Sequence, residues 1–200
     1  MGNALTITQI GPSSHGTRMS LEEFARVEGQ AGYIYELEKG LIVVVDVPGL
    51  LHGLVLQAIR DAFTIYRLGH KGAIFLIAGG SESGLRMPEL ESERHPDLAV
   101  YLSPPPVEGD RPWDYWTPDI VVEIVSESSA DRDYQIKREE YLRAGVRLYW
   151  IVDPGKRMVT ALTRRGDTWA EQRLDASAAL ATALLPGLAV KIADLFAAAG

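Results

Sequence analysis

Glu123 is a carboxylate inside an apolar run, TPDIVVEIVSES, flanked by Ile120, Val121, Val122, Ile124 and Val125. Such a run reads as a buried strand. An unpartnered neutral polar group there costs about 2–7 kcal/mol, and an ionised carboxylate costs more. A chain keeps such an acid where a metal ion, a cationic side chain or a proton compensates it. Asp97, in HPDLAVYL, heads a second apolar run, and Lys137 follows in the helix-like segment DRDYQIKREEYLRAG. Two acids opening onto one sheet edge, with one lysine nearby, form the constellation of a metal-dependent nuclease.

Strand geometry sharpens the expectation. Alternate residues share a face, so Val121, Glu123 and Val125 point one way and Val122 and Ile124 the other. Asp119 shares Glu123's face but lies roughly 13 Å away, too far to chelate one ion with it. Asp97 is on another strand; if the two pair side by side, their acids sit about 5 Å apart and can share a cation. Hard carboxylate oxygens suit Mg²⁺ or Mn²⁺. Lys137 follows by one loop and the first turns of a helix, within reach of the strand's carboxyl end. There an ammonium can neutralise a phosphate or help deprotonate an attacking water.

The elements that must position these residues follow from patterning. Residues 1–18 are polar and Gly/Ser-bearing and read as a loose or accessory arm. Ser20 with Glu23 is a capping-box pattern for a short helix. YIYELEKGLIVVVDV reads as two strands around a turn at Glu38-Lys39-Gly40. The apolar spacing from Leu51 to Tyr66 is helical and is stopped by Gly69 and Gly72. AIFLIAGG is a strand, the polar stretch Ser81 to His95 a loop or irregular strand, and HPDLAVYL a strand. A proline-rich loop precedes TPDIVVEIV, the central strand. An amphipathic helix ends at Gly145, and RLYWIVDP and RMVTALTRRGDTW are two further strands around Pro154-Gly155. A break at residues 185–187 precedes a last helix-like segment. This order predicts one α/β (α+β) domain over residues 1–200, with a mixed sheet flanked by helices.

Composition bounds the function. The 200 residues are 46% hydrophobic, ordinary for one good core. There is no cysteine, which excludes a disulfide framework, a thiolate zinc site and a cysteine nucleophile. The opening MGNALTITQIGPSSHG lacks the charged region and apolar core of a signal peptide, and no apolar run reaches the ~18 residues of a membrane span. A cytoplasmic protein without membrane contact is expected. The net charge of −7 argues against a broadly DNA-coating surface, while a local basic patch can still bind phosphate.

The ordered set of motifs resembles the Uma-two family of restriction-endonuclease-like proteins, a branch of the PD-(D/E)XK nuclease superfamily. YELEKG is similar to the family's early E-L-x-x-G, and His52 to a histidine opening the long helix. HPDLAVYL resembles its first Pro-Asp strand, TPDIVVEIVSESSADRDYQIKREEYLRAGVRLYWIVDP its long signature block, and LLPGLAVKIADLF its closing segment. The resemblance implies a restriction-endonuclease-like core, Asp97 and Glu123 as metal ligands, and Lys137 as catalytic lysine. Glu36 would be a further acid near the site. The superfamily's usual lysine lies two residues after the acid; here that residue is Val125, and the resemblance places the lysine on the following helix.

Each assignment has a plainer alternative. Glu123 can be an edge residue, and Asp97 a turn-former that caps backbone amides. Asp133 and Lys137 have the i, i+4 spacing of an ordinary surface pair. His52 at the head of an apolar helix is commonly structural. His15, His70 and His95 carry no spacing signal for zinc. Trp113, Trp116, Trp150 and Trp169 are suited to stack bases or to pack a core. The two functions in view are a Mg²⁺- or Mn²⁺-dependent nuclease acting on DNA and an inactive relative that kept the fold as a binding or assembly module. The apolar residues of RLYWIVDP and RMVTALTRRGDTW, with Trp113, Tyr115 and Trp116, predict an interface, hence a symmetric homodimer.

Overall fold

In the computed structural model, which describes residues 8–46, 49–106, 112–127 and 129–197, the apolar runs occupy the middle of a six-stranded mixed sheet. Its spatial order is Thr168–Asp175, Met158–Arg165, Leu148–Asp153, Ile120–Ile124, Leu98–Tyr101, Leu76–Ala78. Ile120–Ile124 runs parallel to Leu148–Asp153 and antiparallel to Leu98–Tyr101. Every residue of Ile120–Ile124 and of Leu148–Asp153 is buried. Continuous burial of this kind means that both faces of the sheet are covered.

One face carries the long helix Leu50–Gly69, whose Val55, Ile59, Phe63 and Tyr66 recur at three- and four-residue spacing. They pack on Ile120, Val122 and Trp150, together with the last helix, Ile192–Ala197. Phe63 stacks on Trp150 with ring centroids 5.5 Å apart. The other face buries Val121, Tyr149 and Ile151 against Tyr141 of the helix Lys137–Ala144 and Val146 just beyond it. Glu123 has the parity of Val121, so it looks toward this second helix.

A second, four-stranded sheet has the order Leu41–Asp46, Tyr33–Glu38, Ser92–Arg94, Leu85–Met87. Its first hairpin turns through Lys39 and Gly40, both at positive φ (49° and 76°), as tight hairpins of matching twist require. Leu37 points into a cluster with Leu21, Phe24 and Ile42, leaving its neighbour Glu36 on the opposite face. The helix Leu21–Phe24 begins with the expected capping box: the Glu23 N–H donates to Ser20 Oγ at 3.3 Å, and the Ser20 N–H donates to Glu23 Oε2 at 2.9 Å.

Several elements differ from the sequence expectation. Residues 1–7 of the predicted arm lie outside the described residues, but Gln9–Ile10 pairs with Glu28–Gly29 and Ile10 is buried beside Leu21. The polar stretch from Ser81 to His95 forms the hairpin Leu85–Met87 and Ser92–Arg94. RMVTALTRRGDTW folds back at Gly166 (φ 59°), giving two strands where one was expected. Leu148–Asp153 lies in the core and Trp116 packs on Tyr101 at 4.0 Å, so most of the apolar residues read as a dimer surface build the interior of one chain. Among the described residues no helix is long and apolar enough to cross a membrane.

Gly79, at the end of the edge strand Leu76–Ala78, lets two backbones meet beside the site. A Cβ there would lie 2.1 Å from the carbonyl oxygen of Asp97. Gly79→Ala must displace the segment that carries Asp97, at a cost of about 1–3 kcal/mol. Urea denaturation is expected to show that loss, and an alanine variant as stable as wild type would contradict the contact.

Candidate active site

The paired strands bring the two predicted acids together. Leu98 lies opposite Val122, and one step further the antiparallel register sets Asp97 opposite Glu123. The Asp97 N–H points at Glu123 Oε2 (3.4 Å), while Asp97 Oδ2 accepts the Ile124 N–H at 2.8 Å. His52, in the first turn of the long helix, comes from the other side of the sheet and places Nε2 3.0 Å from the same Oδ2. Its Nδ1 is buried and has no hydrogen-bond partner among the described residues.

Lys137 reaches Glu123 from the covering helix. Its ammonium is 2.9 Å from Glu123 Oε1, 3.2 Å from Asp133 Oδ1 and 3.8 Å from Glu36 Oε1. The approach runs through a π-helical turn, Arg132–Ile136, in which the Lys137 N–H donates to the carbonyl five residues back, Arg132. Such turns recur at functional sites because the extra residue re-aims a side chain. Tyr141, one turn later, donates its hydroxyl to Glu123 Oε1, and Tyr149 donates to the Asp133 carbonyl at 2.9 Å. Ser129 Oγ donates to Asp133 Oδ2 at 2.6 Å.

A second charge cluster adjoins the first. Arg94 is fully buried and divides its guanidinium among Glu140 (Nε, 2.7 Å), Glu36 (Nη1, 3.1 Å) and Glu38 (Nη2, 2.9 Å). Glu36 thus has Arg94 on one oxygen and Lys137 on the other side, and its Oε1 also accepts the His95 N–H at 3.2 Å.

These neighbours set the protonation states. Burial pushes the Glu123 carboxyl up; Lys137 opposes it, but Asp97, Asp133 and Glu36 add to it, and the balance lies at about 8. Burial also lifts Asp133, against Lys137 and Ser129. Burial disfavours ionised Glu36, yet Lys137 and Arg94 outweigh it and hold that carboxyl down at about 2. The Lys137 ammonium loses hydration on burial, but Glu123, Glu36 and Asp133 raise it above the usual lysine range. It is a permanent cation, suited to stabilise negative charge and unsuited to accept a proton.

Glu36, Asp97, Glu123 and Lys137 therefore all line one cleft of about 160 Å³, together with His52, His95, Arg132 and Asp133. The surface-pair reading of Asp133 and Lys137 is overturned, since both are buried. Asp119 is a strand-opening residue, as the spacing indicated: it accepts the Leu102 N–H at 2.8 Å and pairs with Arg147. Sequence reasoning missed Arg94, Asp133, Glu140 and Tyr141 as members of the site. Asp133 and Glu140 flank Lys137 at −4 and +3, and that helix face was the available signal.

Among the described residues no three His, Cys, Asp or Glu gather into a cage for an ion. The donor set nevertheless fits Mg²⁺, which commonly takes one or two carboxylates and keeps water and phosphate for its other positions. Lys137 and Tyr141 occupy Glu123 Oε1, so Oε2 is the oxygen turned toward Asp97.

A family model described as "Putative restriction endonuclease", Uma2, matches residues 21–193. The chain belongs to the Uma2 family. A solved structure, described as a putative nuclease belonging to DUF820 from Anabaena variabilis ATCC 29413, is similar with a TM-score of 0.74 and 17% identity, over 91% of this chain and 99% of that one. No curated protein matches. The fold of this Uma2 chain is thus the α+β fold of that neighbour, a mixed sheet flanked by helices.

Glu36 carries a pH dependence. Its carboxyl is depressed from 4.5 to about 2, so its contribution to stability is complete above pH 4.5 and is lost as pH falls toward 2. The stability difference between wild type and Glu36→Gln is expected to be largest above pH 4.5 and to close on acidification. Denaturation curves across that range test this, and a difference independent of pH would count against an ionised Glu36.

Proposed function

We propose that this protein is a Mg²⁺- or Mn²⁺-dependent nuclease that hydrolyses phosphodiester bonds of DNA. The observation that carries the proposal is the meeting of Asp97 and Glu123 across paired strands, with the Lys137 ammonium 2.9 Å from Glu123, in a cleft. The description of the family supports the same reading. Asp97 and Glu123 Oε2 would hold the ion, which when bound supplies an activated water and charge neutralisation at the phosphate.

The chain's own residues do the rest. Lys137 offers fixed positive charge where negative charge develops on the phosphoryl oxygens. The Ile124 N–H and His52 fix one Asp97 oxygen, which orients the carboxylate. Tyr141 fixes Glu123 in the same way. Cutting both strands of a duplex asks for two such sites, so a symmetric homodimer belongs to the proposal. The alternative, an inactive module that kept the fold, draws on Lys137 being held by carboxylates and nearly shielded from solvent.

Metal binding is the first test. At about 100 times its Kd, the ion stabilises the fold by about 2.7 kcal/mol, and Glu123→Gln is expected to abolish that rise in Tm. Identical Mn²⁺ responses in wild type and Glu123→Gln would remove the metal site.

Cleavage is the second test. Nicking of supercoiled plasmid with Mg²⁺ or Mn²⁺ is expected to fall about 10²–10³-fold in Lys137→Ala and Asp97→Ala. Because Lys137 is buried among acids, Lys137→Ala also leaves unpaired charge and costs about 3–5 kcal/mol. The assay therefore runs well below that variant's Tm. Failure of wild type to cut any DNA or RNA favours the inactive module.

A further inference from the structure

Lys137 cannot choose its own position. Its ammonium meets Glu123 only if the helix Lys137–Ala144 is docked at one rotation about its axis. Glu140, three residues later on the same face, is fixed at both oxygens. Oε2 accepts from Arg94 Nε at 2.7 Å, and Oε1 lies 3.0 Å from Ser92 Oγ, whose single proton is shared with the Leu90 carbonyl. Both donors belong to the strand Ser92–Arg94 of the four-stranded sheet. The same guanidinium holds Glu36 and Glu38 on the neighbouring strand Tyr33–Glu38, and Glu36 faces Lys137 again from that side.

We propose that Arg94 and Glu140 are positioning residues: a buried clamp that ties the lysine-bearing helix to the four-stranded sheet and so sets Lys137 against Glu123. Arg94 reaches three carboxylates on two elements through separate nitrogens, which only a planar fork can do. A lysine at this position keeps the charge and loses the geometry. Neither residue reaches the reacting groups; both act through Glu36 and Lys137. The effect on cleavage rests on the nuclease reading, whereas the effect on Lys137 itself does not.

The test reads Lys137 directly. Folded protein is labelled with acetic anhydride and each lysine is followed by peptide mass spectrometry. In wild type, Lys137 is expected to react more slowly than Lys39, Lys71, Lys156 and Lys191. In Arg94→Lys and Glu140→Gln its rate relative to Lys156 is expected to rise about tenfold, within the usual effect of outer positioning partners. Amide exchange in Leu148–Asp153, which follows general stability, is expected to rise by a much smaller factor than the Lys137 rate. Where wild type cleaves, kcat is expected to fall about 10–100-fold with a smaller change in KM. Lys137 protected as in wild type in both variants would overturn the clamp. So would a rise in labelling matched by faster exchange in Leu148–Asp153, which marks a loss of general stability. If wild type cuts nothing, the nuclease reading falls and the labelling result still decides the clamp.

Discussion

The constraint on which the rest depends is the burial of two cations, Lys137 and Arg94, in the seam between the two sheets. Each ion pays several kcal/mol to leave water, and only close, well-oriented acids return it. Glu123, Asp133 and Glu36 surround Lys137, and Glu36, Glu38 and Glu140 surround Arg94. With Asp97 beside them the acids outnumber the cations. That excess is visible in Glu123, which keeps its proton to an unusually high pH.

This arrangement also explains the character of the central strand. In the usual pattern of the resembled superfamily the lysine lies two residues after the acid, on the strand itself. Here that residue is Val125, whose N–H donates to the Val152 carbonyl at 2.8 Å and extends the pairing of parallel strands. With the cation on the covering helix, the strand stays apolar on both faces except at Glu123. The cation then needs its own support, which the helix face of Asp133 and Glu140 provides.

Much of this could be read from the sequence, and the failures have physical causes. The apolar runs marked the strands, and the one acid out of place, Glu123, pointed to the cleft in which Asp97 and Lys137 meet it. The Ser20–Glu23 capping box and the Lys39–Gly40 turn depend on local geometry and were legible for that reason. The rotation of the lysine helix was not legible: an i, i+4 pair of opposite charges looks the same in solvent as in a seam. Nor was Arg94, because the segment around it lacks apolar residues to signal burial. Its charge is paired by acids 46 to 58 residues away in the chain, a separation that no local pattern records. Of the aromatic residues taken for an interface, Trp116 and Trp150 are buried while Tyr115 stays exposed, since a large apolar side chain fits a core as well as a surface.

The long-range nature of these contacts has a consequence for the order of assembly. Asp97 and Glu123 come from strands that pair directly, 26 residues apart in the chain, while the Arg94–Glu140 contact that ties the lysine helix to the second sheet spans 46. Closing the longer loop costs somewhat more chain entropy, and non-local contacts of this kind slow folding. A chain in which the central strands have paired but the second sheet has not therefore lacks the Arg94–Glu140 tie. Completion of the charged cleft is thereby tied to the pairing of both sheets.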